Sequence, residues 1–426
     1  MNHFNLFTMS CLILLGVVIC FVPEGRANPI QPAWKFQPRN LDVFIKQSKM
    51  IKAVDQAEVV IRNVRFEKAI IPEAANKYSG NFIYIKNCKN VVLDGVIAQS
   101  GAGGNSAYQS ILIEDCENVT ITNCFFSGKV KRAHLRIEGC RNVEVSNVEV
   151  SGVSLEGSVV GSGIGVWINN GSPKSEFDPK RGMYSVAPLD LETFTLRDSY
   201  FHDANLKSDN FLNIDAVLIH SGSNGSVENC YFENWNGGDS ALDISHRRKD
   251  NKYANKKIFV KDCKFVNCKY VKVNGHSRSS NKIVFSRNVF VNTPLQFYHN
   301  GYEVVFANDI FAYKNEKGRG FFVQLLGMSG GKVLFRSCLM YANALHSFVA
   351  QSGKYQSEDY KGLFSEESLF VIESNVRAVS SKNGENISSM NDIGNGFIFS
   401  RNIDEGVKSL VVDGLIGRKA IEELLR

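Results

Sequence analysis

Residues Asn213 to Asn300 read NIDAVLIHSGSNGSVENCYFENWNGGDSALDISHRRKDNKYANKKIFVKDCKFVNCKYVKVNGHSRSSNKIVFSRNVFVNTPLQFYHN. Four short alternating apolar strands, AVLI, ALDI, YVKV and LQFY, each lead into a Gly, Asn, Ser or charged turn. A second strand then ends in an aromatic, at Phe232, Phe265, Phe290 and Phe311. One unit recurring every 21 to 33 residues marks a solenoid. The period-2 alternation and β-branched content make each repeat a coil of strands rather than of helices.

The same rhythm extends outward. Coil ends are expected near Phe66, Ile97, Phe126, Val150, Phe201, Phe232, Phe265, Phe290, Phe311, Met340 and Val371, with one more hidden between Val150 and Phe201. That makes about twelve coils, and at a spacing of about 4.8 Å a solenoid roughly 55 Å long. The wide interval holds an extra strand, Gly165 to Ile168, and a long loop, Asn169 to Leu189, with three prolines. Excursions of this kind tend to line a working face, so the loop is a candidate cleft wall.

A chain of 426 residues with 44% hydrophobic composition would ordinarily split into two or three domains. A solenoid overrides that expectation, because each coil packs only on its neighbours. The divisions expected are a signal peptide at 1–27, an N-terminal cap at 28–55, the coils at 56–375 and a C-terminal cap region at 376–426 that closes on a short helix, Arg418 to Arg426. End coils need caps because they would otherwise expose core and strand edges.

Leu6 to Val22 is an apolar run too short to span a membrane comfortably, and it ends in Gly25-Arg26-Ala27, with small residues, Gly25 and Ala27, at the two positions a signal peptidase inspects. The protein is therefore expected to be secreted or periplasmic, with no membrane association after signal removal. The net charge of +6 leans weakly toward acidic partners, and no nucleic-acid partner is expected.

Eight of ten cysteines follow the signal. Ile85-Lys-Asn-Cys88-Lys-Asn90, Ile113-Glu-Asp-Cys116-Glu-Asn118 and Ile137-Glu-Gly-Cys140-Arg-Asn142 repeat at intervals of 28 and 24. These thiols are expected to stack inward as small core residues, with Cys263 and Cys268 the pair most open to bridging. Asn90, Asn118 and Asn142 are expected to form a turn ladder, since Asn tolerates the left-handed backbone.

Coils of this size, with an Asn ladder and inward Cys and aromatic stacks in an exported chain, resemble the right-handed parallel β-helix of the pectin-lyase-like superfamily. The resemblance covers about residues 55 to 375 and implies an all-β fold that hosts pectate lyases, polygalacturonase-type hydrolases, uronan epimerases and adhesins. Locally it is closest to the hydrolases, whose pattern is Asn-x-Asp, Gly-Asp-Asp, Gly-His-Gly and Arg-x-Lys. Asn213-Ile-Asp215 and Gly238-Asp239-Ser240 match in spacing. Ser240 stands where the family has an aspartate, Gly275-His276-Ser277 follows its strand, and no Arg-x-Lys appears downstream. An inverting hydrolase needs both an acid and a base carboxylate, so this departure puts its mechanism in doubt.

Alternation places Val217, Leu242, Val271 and Leu295 inward, which leaves Trp167, Leu218, Asp243, Lys272 and Gln296 in one outward column. A neighbouring column holds Asn169, His220, Ser245, Asn274, Tyr298 and Gln324, beside a turn carrying His246, Arg247, Arg248, His276 and Arg278. Such a face would stack an aromatic on a sugar ring and pair cations with carboxylates, which suits an acidic, uronic-acid-containing polysaccharide. The resembled lyases use calcium held by aspartates and an Arg or Lys base. On that pattern Asp215, Asp239 and Asp243 are the candidate calcium ligands and acids, and Lys272, Arg247 and Arg248 the candidate bases. A desolvated Lys272 with a lowered pKa would suit proton abstraction.

Plainer roles stand beside these. Asp243 and Lys272 could form a surface salt bridge, His220 could serve its turn, residues 246–250 could be a solvated loop, and Asp215 and Asp239 could cap turns. The expected activities are, in order, β-elimination of an acidic polysaccharide, glycoside hydrolysis, and non-catalytic polysaccharide binding or surface attachment. The oligomeric state is left open.

Overall fold

The computed structural model describes residues 35–36, 43–67, 80–100, 107–152, 163–169, 191–204, 214–220, 224–236, 239–246, 255–275, 281–298, 301–313, 322–326, 331–342, 349–351, 363–366, 368–372 and 397–400. They form an all-β parallel solenoid of two sheets, one of twenty strands and one of eleven, and contain no α-helix. The expected signal peptide and C-terminal helix lie outside the described residues. Two stretches assigned to the N-terminal cap are strands: Ile45–Gln47 pairs with Val64 to Phe66, and Ile51–Val54 pairs with Ile83 to Lys86.

Each coil gives one strand to the eleven-stranded sheet and a bent strand, or a pair of strands, to the larger one. The bend falls where the backbone turns left-handed, at Asn63, Gly95, Asn123, Asn147, Asp198, Asn229 and onward to Ser337. These positions stack in register, and eight of the ten described are Asn, Asp or Gly, the residues that reach this conformation at least cost. The Asn90–Asn118–Asn142 ladder is present, each amide donating to the one below at 3.0 Å. Its residues start strands, however, and the left-handed turn lies three positions earlier, at Asn87, Asp115 and Gly139.

A bend interrupts backbone pairing, and inward side chains restore it. The Cys263 N–H donates to Asn288 Oδ1 at 2.9 Å, the Asn288 N–H to Asp309 Oδ1 at 2.6 Å, and the Ala307 N–H to Asp309 Oδ2 at 3.1 Å. Elsewhere in this column thiols donate to the carbonyl two residues back, as at Cys230 and Cys263, each at 3.3 Å. All eight cysteines are free and buried, Cys263 and Cys268 included. Cys88, Cys116 and Cys140 stack so that each backbone N–H points at the next sulfur at 3.4 Å.

The aromatic stack runs Phe201, Phe232, Phe265, Phe290 and Phe311, with ring centroids 4.5 to 5.0 Å apart. Register corrects two coil ends by one residue: Ala98 aligns with Phe66 and Phe126, and Phe370 aligns with Met340. It also lowers the coil count. The strand Asn142–Ser151 pairs directly with Thr193–Arg197 and Tyr200–His202, so the wide interval adds no coil. Its extra strand, Ile164–Asn169, belongs to the coil that ends at Phe201, and the smaller sheet has eleven strands where about twelve coils were expected.

Burial pushes the Asp309 carboxyl up to about 8, against the pull of its hydrogen bonds from Asn288 and Ala307. A folded pKa raised above the unfolded value of about 3.9 means that the stability contributed by this proton is complete below that value and is lost as pH rises toward 8. Asp309→Asn keeps an acceptor for the Asn288 N–H, turns an NH2 toward the Ala307 N–H, and has nothing to ionise. Whatever that mismatch costs at pH 4, its stability relative to wild type is expected to rise by at least about 1 kcal/mol between pH 4 and pH 8, read from chemical denaturation. A difference from wild type that is the same at both pH values would contradict this.

Candidate functional site

The outward face of the eleven-stranded sheet carries the site. Register aligns Lys52, Tyr84, Leu112, Arg136, Trp167, Leu218, Asp243, Lys272, Gln296 and Gln324 in one column. Glu138, Asn169, His220, Ser245, Asn274 and Tyr298 form the next. Gln324 therefore moves from the second column to the first, where the Gln296 amide donates to it at 2.6 Å. Val217, Leu242, Val271 and Leu295 point inward as expected and are buried.

At the centre, three aspartates and a lysine converge. Asp243 lies on its strand, while Asp215 and Asp239 come from the turns that precede two neighbouring strands. One carboxylate oxygen of each lies within 4.8 Å of the others. Lys272, one coil on, places Nζ 2.7 Å from Asp239 Oδ2 and 3.3 Å from Asp243 Oδ2. Asp215 is 1% and Asp243 2% exposed, so this is a buried ion pair and not a surface salt bridge.

Burial opposes the charge on Lys272, but Asp243, Asp239 and Asp215 outweigh it and hold the ammonium above its ordinary pKa. The expectation of a lowered lysine pKa is thus reversed. Asp215 moves up as well, well above the usual carboxyl range, first through burial and then through the charges of Asp243 and Asp239. Its Oδ1 accepts the Ser240 hydroxyl at 2.5 Å, and its Oδ2 has no partner. Burial and the neighbouring carboxylates thus favour the protonated form of Asp215, which lies beside the Lys272 bridge to Asp239 and Asp243.

This donor set does not fit calcium. A calcium ion gathers six to eight oxygens at about 2.3–2.6 Å, whereas an ammonium already sits against two of the three carboxylates and burial disfavours the charge on the third.

Further along the column, Arg136 Cζ sits 4.2 Å over the Trp167 ring, and Arg136 Nη2 pairs with Glu138 Oε2 at 2.8 Å. His220 meets Trp167 edge-on at 5.6 Å. Trp167 is half-buried with a face already covered, so it presents an edge and not the open ring expected for sugar stacking. Two buried donors here, Trp167 Nε1 and Arg136 Nε, lack partners. Asn169, His220, Lys272, Tyr298 and Gln324 are half-buried, while Ser245, Asn274 and Gln296 are buried, so the face is a recessed groove more than an open strip. Arg136, Glu138 and Tyr84 were not foreseen, yet the alternation of residues 81–86 and 133–138 points to them once the column is extended backward. His246 ends its strand opposite Gly275. Arg247, Arg248, His276 and Arg278 lie outside the described residues.

The larger sheet carries a second titratable cluster that the sequence reading missed. His202 Nε2 lies 3.1 Å from Glu149 Oε1 and Nδ1 2.7 Å from Asp203 Oδ2, and the Tyr200 ring stacks on the imidazole at 4.1 Å. Burial disfavours its charge, but the Glu149 and Asp203 hydrogen bonds prevail and raise its pKa.

No protein-family model matches this sequence, and no curated protein matches it. Among solved structures it is similar to PfbA, a surface adhesin of Streptococcus pneumoniae, at 12% identity and a TM-score of 0.40, covering 76% of this chain and 82% of that one. That likeness is too distant to carry a functional argument. Membership of the pectin-lyase-like superfamily is not shown.

Lys272→Met removes the ammonium and leaves the buried Asp243 carboxylate facing half-buried Asp239. The expected cost is about 3–5 kcal/mol, read from chemical denaturation. Millimolar calcium should leave wild-type Tm unchanged and raise that of the variant, whose three carboxylates are then open to a metal. A calcium-dependent wild type, or a variant as stable as wild type, would contradict this.

Proposed function

We propose that this protein is an exported polysaccharide-binding solenoid that holds an acidic, uronic-acid-containing chain along the outward face of the eleven-stranded sheet without cleaving it by elimination. The observation that carries the reading is the state of Lys272. Elimination needs a base beside the C5 proton of the uronate, and an ammonium held by Asp239 and Asp243 has no lone pair to offer.

Binding asks less of the same face. Arg136 and His220 supply cationic or hydrogen-bonding groups for carboxylates, and Asn169, Tyr298 and Gln324 supply amides and a phenol for hydroxyls. The repeat of the coils sets such groups along a line, which suits a polymer. The reading needs no calcium. It places the protein outside the cytoplasm, where such polymers are met, in keeping with the Leu6 to Val22 run.

One observation favours hydrolysis as the second reading: Asp215, whose pKa burial raises, lies beside Asp239, and glycoside hydrolysis uses two carboxyl groups in unlike environments. Its burial counts against it, because a sugar oxygen cannot reach Asp215 while the groove stays as it is.

Affinity electrophoresis through polygalacturonate, alginate and a neutral glucan is expected to retard the protein in at least one acidic polymer and not in the glucan, with retardation falling as salt rises. Arg136→Ala should weaken it about tenfold, the scale of one charge-assisted contact. Ultraviolet absorbance of an unsaturated product, if it appeared, would overturn the proposal in favour of a lyase. New reducing ends that vanish in Asp215→Asn would move it to the hydrolase.

A further inference from the structure

The outward face of the larger sheet changes character along the solenoid. At the central position of each strand the register begins with Val60 and Val92, runs through Thr120, Glu144, Thr195 and Ser226, as expected of a solvated face, and then through Phe259, Val284, Val305 and Leu334 to Phe364. Phe259 is 43% exposed, Val284 and Leu334 are half-buried, and Val305 is recessed at 6%. Alternation gives no packing reason for four successive apolar residues here, because the core side of the same strands is filled by Ile258, Val260, Ile283, Phe285, Val304, Phe306, Val333 and Phe335.

Charge borders the stripe. Two positions before it along each strand stand Lys257, Lys282, Glu303 and Lys332, and two positions after it Lys261, Ser286, Ala307 and Arg336. Lys282 pairs with Glu303 at 2.6 Å and Lys261 with Glu228 at 3.1 Å, which leaves the ammonium groups of Lys257 and Lys332 uncommitted. Five cations, Lys257, Lys261, Lys282, Lys332 and Arg336, border the stripe; Lys282 and Lys261 are paired with Glu303 and Glu228, and Arg336 aligns with Glu366 on the next coil.

We infer that this trough docks an acidic amphipathic α-helix of a partner protein, lying along the solenoid axis. The dimensions agree. The two flanking columns stand about 13 Å apart, four residues of strand, and a helix with its side chains is about 10–12 Å across. Four coils at about 4.8 Å give an apolar run of about 14 Å, the length of nine or ten helical residues. A helix with apolar residues at i, i+3/i+4 and i+7 and carboxylates on the flank that faces Lys257 and Lys332 would cover Phe259 to Leu334 and meet those two ammonium groups. A lipid surface fits less well, because recessed Val305 cannot reach a flat interface past the flanking side chains. This site is on the other sheet from the polysaccharide groove and does not depend on it.

The test is fluorescence anisotropy of the full chain with three labelled eighteen-residue model helices: leucine-faced with glutamate flanks, the same with lysine flanks, and a scrambled acidic peptide of equal composition. The acidic helix is expected to bind at least tenfold more tightly than either control and to weaken as salt rises. Phe259→Ser/Leu334→Ser should weaken it at least tenfold, and Lys257→Glu/Lys332→Glu should do so without any change in apolar surface. Both pairs lie at solvent-facing positions, and an unchanged Tm would establish that the fold is retained. Equal binding of the acidic and lysine-flanked helices, binding untouched by both double variants, or attachment only to anionic phosphatidylglycerol vesicles would overturn the inference.

Discussion

Parallel stacking in register is the constraint on which the rest of this molecule depends. Each coil satisfies its backbone N–H and C=O groups on the coils above and below, so a residue's neighbours are its equivalents one coil away. What suits one position must suit the column. Left-handed bends therefore line up from Asn63 to Ser337, aromatics stack from Phe201 to Phe311, and thiols, Asn288 and Asp309 repair the pairing that each bend interrupts. Like charges could not be tolerated in such columns at about 4.8 Å without counter-ions. Lys272 above Asp243, Lys282 beside Glu303 and Arg287 beside Asp262 are the local answers.

Much of this architecture was legible in the sequence because alternation and stacking are both periodic. Val217, Leu242, Val271 and Leu295 were placed inward correctly, and the column from Trp167 to Gln296 follows from them. The errors arose where periodicity lapses. A stretch of about fifty residues between Val150 and Phe201 has the length of two coils, yet its strand ladder passes straight across, so length was mistaken for a coil. Gln324 follows an excursion beyond Tyr313, across which the register cannot be counted by residues. The chemistry of Lys272 was hidden for a further reason: its net charge environment depends on Asp239 and Asp215, which lie in turns, where no periodicity fixes the direction of a side chain.

The two outward faces divide the surface between different kinds of contact. The smaller sheet carries hydrogen-bonding and charged groups in a recessed line, with Lys272 set against two of its central aspartates and burial raising the pKa of the third. On the proposed reading, that arrangement spares a polyanion from meeting uncompensated carboxylates and withdraws the base that elimination would use. The larger sheet, polar over its middle coils, turns apolar and basic toward its later ones.

The central claim is that Lys272 is a counter-ion and not a base, and its ammonium group can be observed directly. Selective ¹⁵N labelling of lysine, with the Lys272 signal assigned by its loss in Lys272→Met, would follow the Nζ shift from neutral to alkaline pH. The account predicts that this group keeps its proton beyond the ordinary lysine value of about 10.4, after the exposed lysines have lost theirs. A Lys272 that titrates near neutrality would contradict it and return the site to elimination chemistry.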